Sequence, residues 1–331
     1  MTRKAFFALA ASALAIGLTP ISSASAEETL RAISFLPKQI NYSQSFAKFV
    51  EAFNVEAKGV VKIDFIGGPE VTPGAQQGQA LKNGLVDIIF CPPGLYLNLM
   101  PEGEVISGSN KSPLELRKDG AYDLLDKIMR KRMGATFLAH VAGGNHFYIW
   151  LKDEPKRMAD GGFDFKGLKI RTAPLWKEFF TSLGMTTIIL PPPDVYTALE
   201  RGTVDGTGWP VIGLRDFKWD KFVHYRVEPG FMQPDIVLAA NLKKFDSLSK
   251  KAQELLRTAS IKYEKDSYEE FQAIEKNDKE AMKAEGMKVA EVTGAGLKKF
   301  LELAYAAPWK RMKDRGIPDY DALRAKFFDS K

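Results

Sequence analysis

The chain has 331 residues, with 47 Lys and Arg against 41 Asp and Glu, and a formal net charge of +6 at pH 7. The basic residues are scattered among acids and are not clustered with aromatic residues, which argues against a nucleic-acid partner. Cys91 is the only cysteine, so an internal disulfide is excluded. The length exceeds that of an ordinary single domain and favours two lobes.

The first 26 residues have the pattern of a secretory signal. Arg3 and Lys4 precede an apolar run at Ala5–Leu18, and Ala24–Ala26 is a small-x-small cleavage pattern. The apolar run is too short to cross roughly 30 Å of hydrocarbon. We therefore expect residues 1–26 to be a signal peptide. Since this segment carries two basic residues and no acid, the mature periplasmic protein would begin at Glu27 with a formal charge of +4.

The first half of the mature chain alternates strand-like and helix-like segments, which is typical of a parallel α/β sheet. Continuous or alternating apolar residues indicate the strands, and apolar residues three or four positions apart indicate the helices. The expected strands are 30–36, 60–66, 86–90, 136–141 and 146–151, and the expected helices are about 43–54 and 114–133.

One short sequence occurs twice, 118 positions apart. Residues 80–87 read A-L-K-N-G-L-V-D, and residues 198–205 read A-L-E-R-G-T-V-D. Each glycine stands where a helix needs a left-handed terminator before a strand begins. The repeat predicts two similar α/β lobes with a cleft between them. Because Asp87 and Asp205 occupy the same place in both copies, we expect them to stabilise the scaffold and not to contact a ligand.

The second half repeats this organisation. Its expected elements are a strand at 168–171, a helix at about 175–183, and strands at 186–190 and 236–240.

A long segment without glycine or proline follows, from Lys250 to Glu285, with Ser249 as a candidate helix cap. It predicts one helix of about 54 Å, long enough to run along both lobes. A helix broken near 277–278 is the alternative. The expected lobes are 27–149 with about 238–270, and 150–237 with about 271–331.

The sequence offers no constellation typical of an enzyme. His140, His146 and His224 are not spaced as metal ligands, and H-E-x-x-H, G-x-S-x-G and C-x-x-C motifs are absent. The pair Gly206 and Gly208 lacks the third glycine of a dinucleotide fingerprint, because position 211 is valine. We expect a binding protein that uses no catalytic residue, metal or cofactor, and in which the three histidines are dispensable for binding.

Arg171 stands out by its position. It ends the short strand-like run F-K-G-L-K-I-R and is followed by Thr172-Ala173-Pro174, which breaks the strand. In a parallel α/β sheet the carboxyl ends of the strands face the ligand crevice, so Arg171 is expected at the cleft. Its planar guanidinium can hold a carboxylate through two hydrogen bonds. A structural salt bridge is the alternative role.

The F-K-G-L-K-I-R run, the V-Y-T-A-L-E-R-G-T-V-D-G run at 195–206 and the first A-L-K-N-G-L-V-D copy resemble, in order and spacing, the extracytoplasmic solute receptors of tripartite ATP-independent periplasmic (TRAP) transporters, the DctP-like family. The resemblance covers the whole mature chain. It implies two α/β lobes that close on an organic anion and deliver it to small and large membrane subunits. It further implies that Arg171 grips the ligand carboxylate and that Trp209 reaches the ligand. We expect the receptor to be a monomer.

Two departures from the family pattern indicate a less charged pocket. The stretch 144–150, where many relatives carry a second arginine, reads G-N-H-F-Y-I-W, and the first-lobe strand is followed by C-P-P-G. We therefore expect a monocarboxylate with an apolar or aromatic body, such as a 2-oxo, hydroxy or aromatic acid. Neither Asp205 nor Asp216 matches the acid that holds a cation in some relatives, so no metal is expected. The other expected ligand contacts are Phe35, Pro93, Gly94, Asn145, Tyr148 and Phe231.

Other interpretations keep the fold and change the ligand or the partner. The receptor could take a C4-dicarboxylate, or it could serve a different importer or a sensor kinase. A periplasmic hydrolase or lyase is disfavoured, because no acid-base pair is visible.

Overall fold

A computed structural model describes residues 27–329, so the expected signal segment at 1–26 lies outside the described residues. The strands are β1 (Glu28–Ser34), β2 (Val61–Gly67), β3 (Ile88–Cys91), β4 (Ala135–Val141), β5 (Phe147–Leu151), β6 (Lys156–Arg157), β7 (Phe163–Asp164), β8 (Lys169–Thr172), β9 (Thr186–Ile189), β10 (Gly206–Pro210), β11 (Tyr225–Phe231), β12 (Ile236–Asn241) and β13 (Lys288–Glu291). The helices are α1 (Asn41–Glu56), α2 (Gly74–Lys82), α3 (Glu104–Ser107), α4 (Pro113–Lys118), α5 (Ala121–Met133), α6 (Lys177–Ser182), α7 (Pro192–Glu200), α8 (Leu242–Ser247), α9 (Lys250–Ala284), α10 (Gly294–Asp314) and α11 (Tyr320–Phe327).

Two sheets form the two lobes. The first-lobe sheet has the strand order β2-β1-β3-β12-β4, and the second-lobe sheet has the order β13-β11-β5-β10-β8-β9. Strands β1, β2 and β3 run parallel, as do β8, β9 and β10, while β12 and β5 pair antiparallel with their neighbours. Strands β3, β4 and β12 are buried throughout, as expected for sheets covered on both faces. The expected two-lobed α/β fold is confirmed.

The first two crossings of the chain between the lobes lie at 142–146 and at 232–235. Strand β5 belongs to the second-lobe sheet because it pairs with β10 and β11, and β12 belongs to the first-lobe sheet because it pairs with β3 and β4. Both crossings therefore come a few residues before the expected boundaries at 149 and 237.

Helix α9 is continuous over 35 residues, without a break at 277–278. In its first half the Tyr263 ring stacks on Phe49 of the first lobe, with ring centroids 4.6 Å apart. Near its end Glu275 accepts a hydrogen bond from the hydroxyl of Tyr148 in the second lobe, at 2.8 Å. The expected helix along both lobes is confirmed.

The C-terminal helices do not belong to the second lobe alone. Helix α11 packs on α3 and α5 of the first lobe, and α10 packs on both α3 and α6. From α10, Arg311 donates to the Glu104 carboxylate at 2.7 and 2.8 Å and to the Leu175 carbonyl at 3.0 Å. The expectation that residues 271–331 join the second lobe is wrong for this part, because these side chains bind both lobes.

The helix expected at 114–133 is two helices. Gly120 adopts a left-handed conformation, with φ of +70°, between α4 and α5. Such a conformation ends one helix before the next begins, and glycine adopts it without steric cost. Among residues 27–329 no helix is long and apolar enough to cross a membrane.

The two repeat copies have the same structure. Gly84 and Gly202 are both left-handed, with φ of +71° and +69°. The Asp87 carboxylate accepts a hydrogen bond from the backbone N–H of Arg31 in β1, at 2.8 Å, and the Asp205 carboxylate accepts one from that of Lys169 in β8, at 2.7 Å. These contacts support the expected structural role of the two aspartates, since each joins the start of one strand to a neighbouring strand.

Candidate functional site

A cavity of about 430 Å³ lies between the lobes. The parallel strands of both sheets reach it with their carboxyl ends, and the antiparallel strands β5 and β12 reach it with their first residues. This is the edge at which open α/β sheets bind ligands. The wall residues are Phe35, Tyr42, Pro69, Pro73, Gly74, Ala75, Pro92, Gly94, Leu95, Phe147, Arg171, Ala173, Pro174, Leu175, Trp176, Ile189, Leu190, Pro191, Pro192, Pro193, Trp209, Pro210, Pro234, Asp235 and Ile236.

The wall is apolar, and it contains nine prolines, which have no backbone N–H to offer a ligand. Aromatic rings pack closely within it, with the centroids of Phe147 and Trp176 4.5 Å apart. Only two of the wall residues are charged, Arg171 and Asp235. The cavity therefore suits a ligand with an apolar body and few charged groups.

Arg171 is buried at the end of β8, with 2% of its surface exposed. Its Nε and Nη2 donate to the Leu190 carbonyl at 2.9 and 2.7 Å, and its Nη1 donates to the Gly208 carbonyl at 3.1 Å. A guanidinium has five N–H groups, so two remain without a partner among the described residues. These two belong to the two terminal nitrogens, the pair that can grip a carboxylate.

No acid neutralises Arg171 in the described part of the chain. The guanidinium carbon lies 5.4 Å from the ring centroid of Trp209 and 5.7 Å from that of Trp176, and it has no carboxylate within ion-pair distance. Burial lowers the pKa of Arg171 to about 9, so the group stays protonated at pH 7. A buried cation without a counter-ion costs several kcal/mol, which an anionic ligand would offset.

Trp209 contributes ring surface to the wall. It packs edge-on against Trp219 with centroids 5.1 Å apart, and its ring also lies beside the Arg171 guanidinium. Its Nε1 is buried and has no hydrogen-bond partner among the described residues. A Cβ at position 213 would lie 3.1 Å from that nitrogen, so the indole ring packs close to Gly213.

Asp235 is a wall residue that sequence reasoning missed. It is 3% exposed, precedes β12, and accepts a hydrogen bond from the Gly94 N–H on Oδ2 at 2.7 Å. No Lys, Arg or His lies within ion-pair distance of it between residues 27 and 329. Burial raises its pKa to about 6. The only signal in the sequence is an acid between a proline and an apolar strand.

The wall includes four of the eight expected contacts, namely Phe35, Gly94, Arg171 and Trp209. The other four are absent from it. Tyr148 is turned towards α9, where its hydroxyl bonds Glu275, because neighbouring residues of a strand face opposite sides and Phe147 takes the cavity side.

Three further expected contacts lie outside the wall. Phe231 is fully buried behind it, in contact with the rings of Phe147 and Trp176. Pro93 packs where a Cβ of Gly103 would stand, which turns it away from its wall neighbours. Asn145 is buried in the crossing between β4 and β5, and its amide has no partner among the described residues.

The acids considered for a cation are engaged by backbone groups. Asp205 accepts from the N–H of Lys169, and Asp216 accepts from Asn41 at 2.8 Å. No group of three or more His, Cys, Asp or Glu residues within 27–329 could hold a metal ion.

Two α/β lobes, a helix along both and a cavity between them define a two-lobed solute receptor. A sequence model of the family described as bacterial extracellular solute-binding protein, family 7 (DctP), matches residues 34–314, and the chain belongs to this family. This match confirms the resemblance to the DctP-like family. The solved structures with a similar fold include solute-binding proteins of TRAP transporters.

One curated relative is a monocarboxylate 2-oxoacid-binding periplasmic protein of Nostoc, 25% identical over 241 residues. That alignment covers 67% of this chain and 64% of the relative, so it spans less than two thirds of that protein. An extracytoplasmic solute receptor of Bordetella pertussis that binds pyroglutamic acid superposes with a TM-score of 0.79 at 17% identity, covering 90% of this chain and 99% of the other. A TRAP solute-binding protein of Bordetella bronchiseptica, with copurified calcium and picolinate, has a TM-score of 0.78 at 20% identity, with 92% and 91% covered. The two structural likenesses establish the fold.

Proposed function

We propose that the chain is a periplasmic receptor that captures a monocarboxylate with an apolar or aromatic body in the interlobe cavity and delivers it to a TRAP-type membrane transporter. The observation that carries the proposal is Arg171, a buried guanidinium with two free N–H groups and no counter-ion among the described residues. A carboxylate accepts two such bonds at once.

The rest of the wall favours one carboxylate over two. A second carboxylate would find no second cation, because Arg171 is the only basic residue of the wall, and it would share the cavity with Asp235. Like charges in a buried space repel strongly. The C4-dicarboxylate alternative is therefore disfavoured, and prolines and aromatic rings supply the surface for an apolar body.

The relatives support the class of ligand. The Nostoc protein is named for monocarboxylate 2-oxo acids, and the Bordetella structures are named for pyroglutamic acid and picolinate. All of these carry a carboxyl group. The membrane partner follows from the family, and adjacent genes for a small and a large membrane subunit would support the TRAP assignment over another importer or a sensor kinase.

The test is calorimetry with a panel of apolar monocarboxylates and C4-dicarboxylates. Losing the partner of a buried, hydrogen-bonded ion pair costs about 3–5 kcal/mol, so Arg171→Met should weaken binding by roughly two to three and a half decades. Arg171→Lys keeps the charge and loses the two-bond geometry, so its loss should be smaller. Arg157→Met, at an exposed arginine, is the control. A loss below tenfold in Arg171→Met, or binding of C4-dicarboxylates only, would contradict the proposal.

A further inference from the structure

Two buried charges of opposite sign face one cavity from opposite lobes. Arg171 belongs to the second-lobe sheet and Asp235 enters the first-lobe sheet, and neither has an ion-pair partner among the described residues. We infer that Asp235 is a second electrostatic determinant and that it selects a zwitterionic carboxylate, whose carboxylate faces Arg171 and whose protonated amine faces Asp235. This inference rests on the proposed function and narrows its ligand class.

The contacts of Asp235 leave room for a donor from the ligand. Its Oδ2 accepts from the Gly94 N–H, and its own backbone N–H and the Ser107 hydroxyl also stabilise the charged carboxylate. A carboxylate has about four acceptor positions, so about one of them is left for a ligand. The titratable groups around it are Cys91 and Tyr96, both fully buried, both with pKa values raised by burial and further by Asp235. Both are neutral at pH 7, so the surroundings of Asp235 supply no compensating positive charge.

Charge balance in the cavity favours a zwitterion over a simple anion. With Arg171 protonated and Asp235 ionised, the empty wall carries no net charge. A monoanion would give Arg171 a partner, but it would leave Asp235 unpaired and the closed cavity with a net negative charge, which is less favourable than a neutral cavity. A zwitterion leaves the net charge of the cavity at zero and gives both Arg171 and Asp235 a partner.

The aromatic part of the wall is compatible with a protonated amine. The rings of Phe35, Phe147 and Trp176 belong to the wall, and aromatic ring faces attract ammonium groups. A ligand that bonds Arg171 in one lobe and Asp235 in the other also joins the lobes, so its binding would favour the closed form.

The test compares ligands of one shape and different charge. Cyclohexanecarboxylate is the monoanion, and piperidine-2-, -3- and -4-carboxylate replace one ring carbon by a protonated nitrogen. Calorimetry at pH 7.5 in buffer with EDTA excludes a contribution from divalent metal ions. We expect at least one piperidine to bind the wild-type protein about tenfold to a hundredfold more tightly than cyclohexanecarboxylate.

Asp235→Asn is the diagnostic variant. It retains an oxygen that can accept from the Gly94 N–H and removes the charge, so the preference for piperidines should fall to less than threefold. Asp220→Asn is the matched control, because it removes one carboxylate from a groove outside the interlobe cavity. This variant should retain the preference for piperidines. If Asp235→Asn does not fold, as judged from its melting curve, the inference is decided by the order in which the wild-type protein binds the four compounds.

The possible outcomes separate the inference from the proposed function. Tighter binding of a piperidine that requires both Arg171 and Asp235 supports the inference. Cyclohexanecarboxylate binding as tightly as every piperidine, with loss in Arg171→Met, overturns the inference and leaves the proposed function standing. A preference that persists in Asp235→Asn also overturns it. If none of the four compounds binds while C4-dicarboxylates do, the proposed function fails together with the inference.

Discussion

Asn41 and Asp216 join the two lobes by a pair of hydrogen bonds. The backbone N–H of Asn41 donates to Oδ2 of Asp216 at 2.8 Å, and its side-chain Nδ2 donates to Oδ1 at 3.0 Å. Asn41 begins α1 in the first lobe, and Asp216 follows β10 in the second. The neighbouring residue, Tyr42, lines the cavity. These bonds thus stabilise the arrangement of lobes that encloses the cavity.

Asp216→Ala is expected to weaken ligand binding about tenfold. The enclosed form loses two hydrogen bonds to a carboxylate, worth about 1.5 kcal/mol after allowance for partial exposure, while an open form loses none. The measurement is calorimetry with the tightest carboxylate of the panel, together with small-angle scattering of the free protein.

Asn41→Ala tests the same contact from the other side. It keeps the backbone N–H, so its effect should be the smaller one. The double variant should bind the ligand no more weakly than Asp216→Ala does, because both single changes remove the same interaction. Fully additive losses, or an unchanged affinity in Asp216→Ala, would show that this contact does not control closure.

Asp87→Ala and Asp205→Ala should each lower stability and spare binding. Each aspartate also donates its own N–H to the carbonyl of the residue that it bonds, Arg31 at 2.9 Å and Lys169 at 2.7 Å. Losing the carboxylate leaves one strand N–H without its acceptor, at about 1–2 kcal/mol. Urea unfolding measures the loss. A ligand affinity that fell more than threefold in a variant still folded would contradict a purely structural role.

The parts of the fold that depend on local chemistry could be predicted from the sequence. Both repeat glycines are left-handed, because only a residue without Cβ takes that conformation at little cost. The long helix follows from an uninterrupted segment without glycine or proline. Gly120 is harder to interpret, since a single glycine within an apolar helical pattern can either stay in the helix or end it.

The site could be predicted only in part. The location of Arg171 at the cavity follows from its place at the end of a parallel strand. That of Asp235 does not, because its partner Gly94 lies 141 positions away and no local pattern joins them. The sequence also does not determine whether Phe147 or Tyr148 faces the cavity. The run F-Y-I-W is apolar on both faces of the strand, so the direction of alternation is left open.

Trp209→Ala should lower both stability and affinity, and Trp209→Phe should lower affinity with a much smaller loss of stability. Alanine removes the ring that packs on Trp219, at about 3–5 kcal/mol of stability. Phenylalanine retains much of this packing and presents a smaller, less attractive face to the Arg171 guanidinium, so a loss of roughly threefold to tenfold is expected. Thermal melts and calorimetry separate the two effects. Unchanged affinity in both variants would remove Trp209 from the site.

His140 should make the protein sensitive to acid. Its Nε2 lies 2.7 Å from the Pro234 carbonyl and its Nδ1 lies 2.7 Å from the Tyr122 hydroxyl. A carbonyl only accepts, so Nε2 carries the proton and Nδ1 accepts from the tyrosine. A second proton on Nδ1 would displace that buried hydrogen bond. Burial lowers the pKa of His140 to about 4, consistent with a neutral ring in the folded protein.

The sign of the pH effect follows from this pKa. In the unfolded chain His140 takes up a proton near pH 6.5, whereas in the folded protein it does so only near pH 4. Stability from this residue is therefore complete above pH 6.5 and is lost as the pH falls towards 4, by about 3 kcal/mol in all. Urea unfolding at several pH values should show that the free energy of unfolding falls less at acid pH in His140→Gln than in wild type. His224→Gln, at an exposed histidine, is the control. An equal loss of stability at acid pH in wild type and His140→Gln would contradict this assignment. Retained ligand affinity in His140→Gln would support the expectation that the histidine is dispensable for binding.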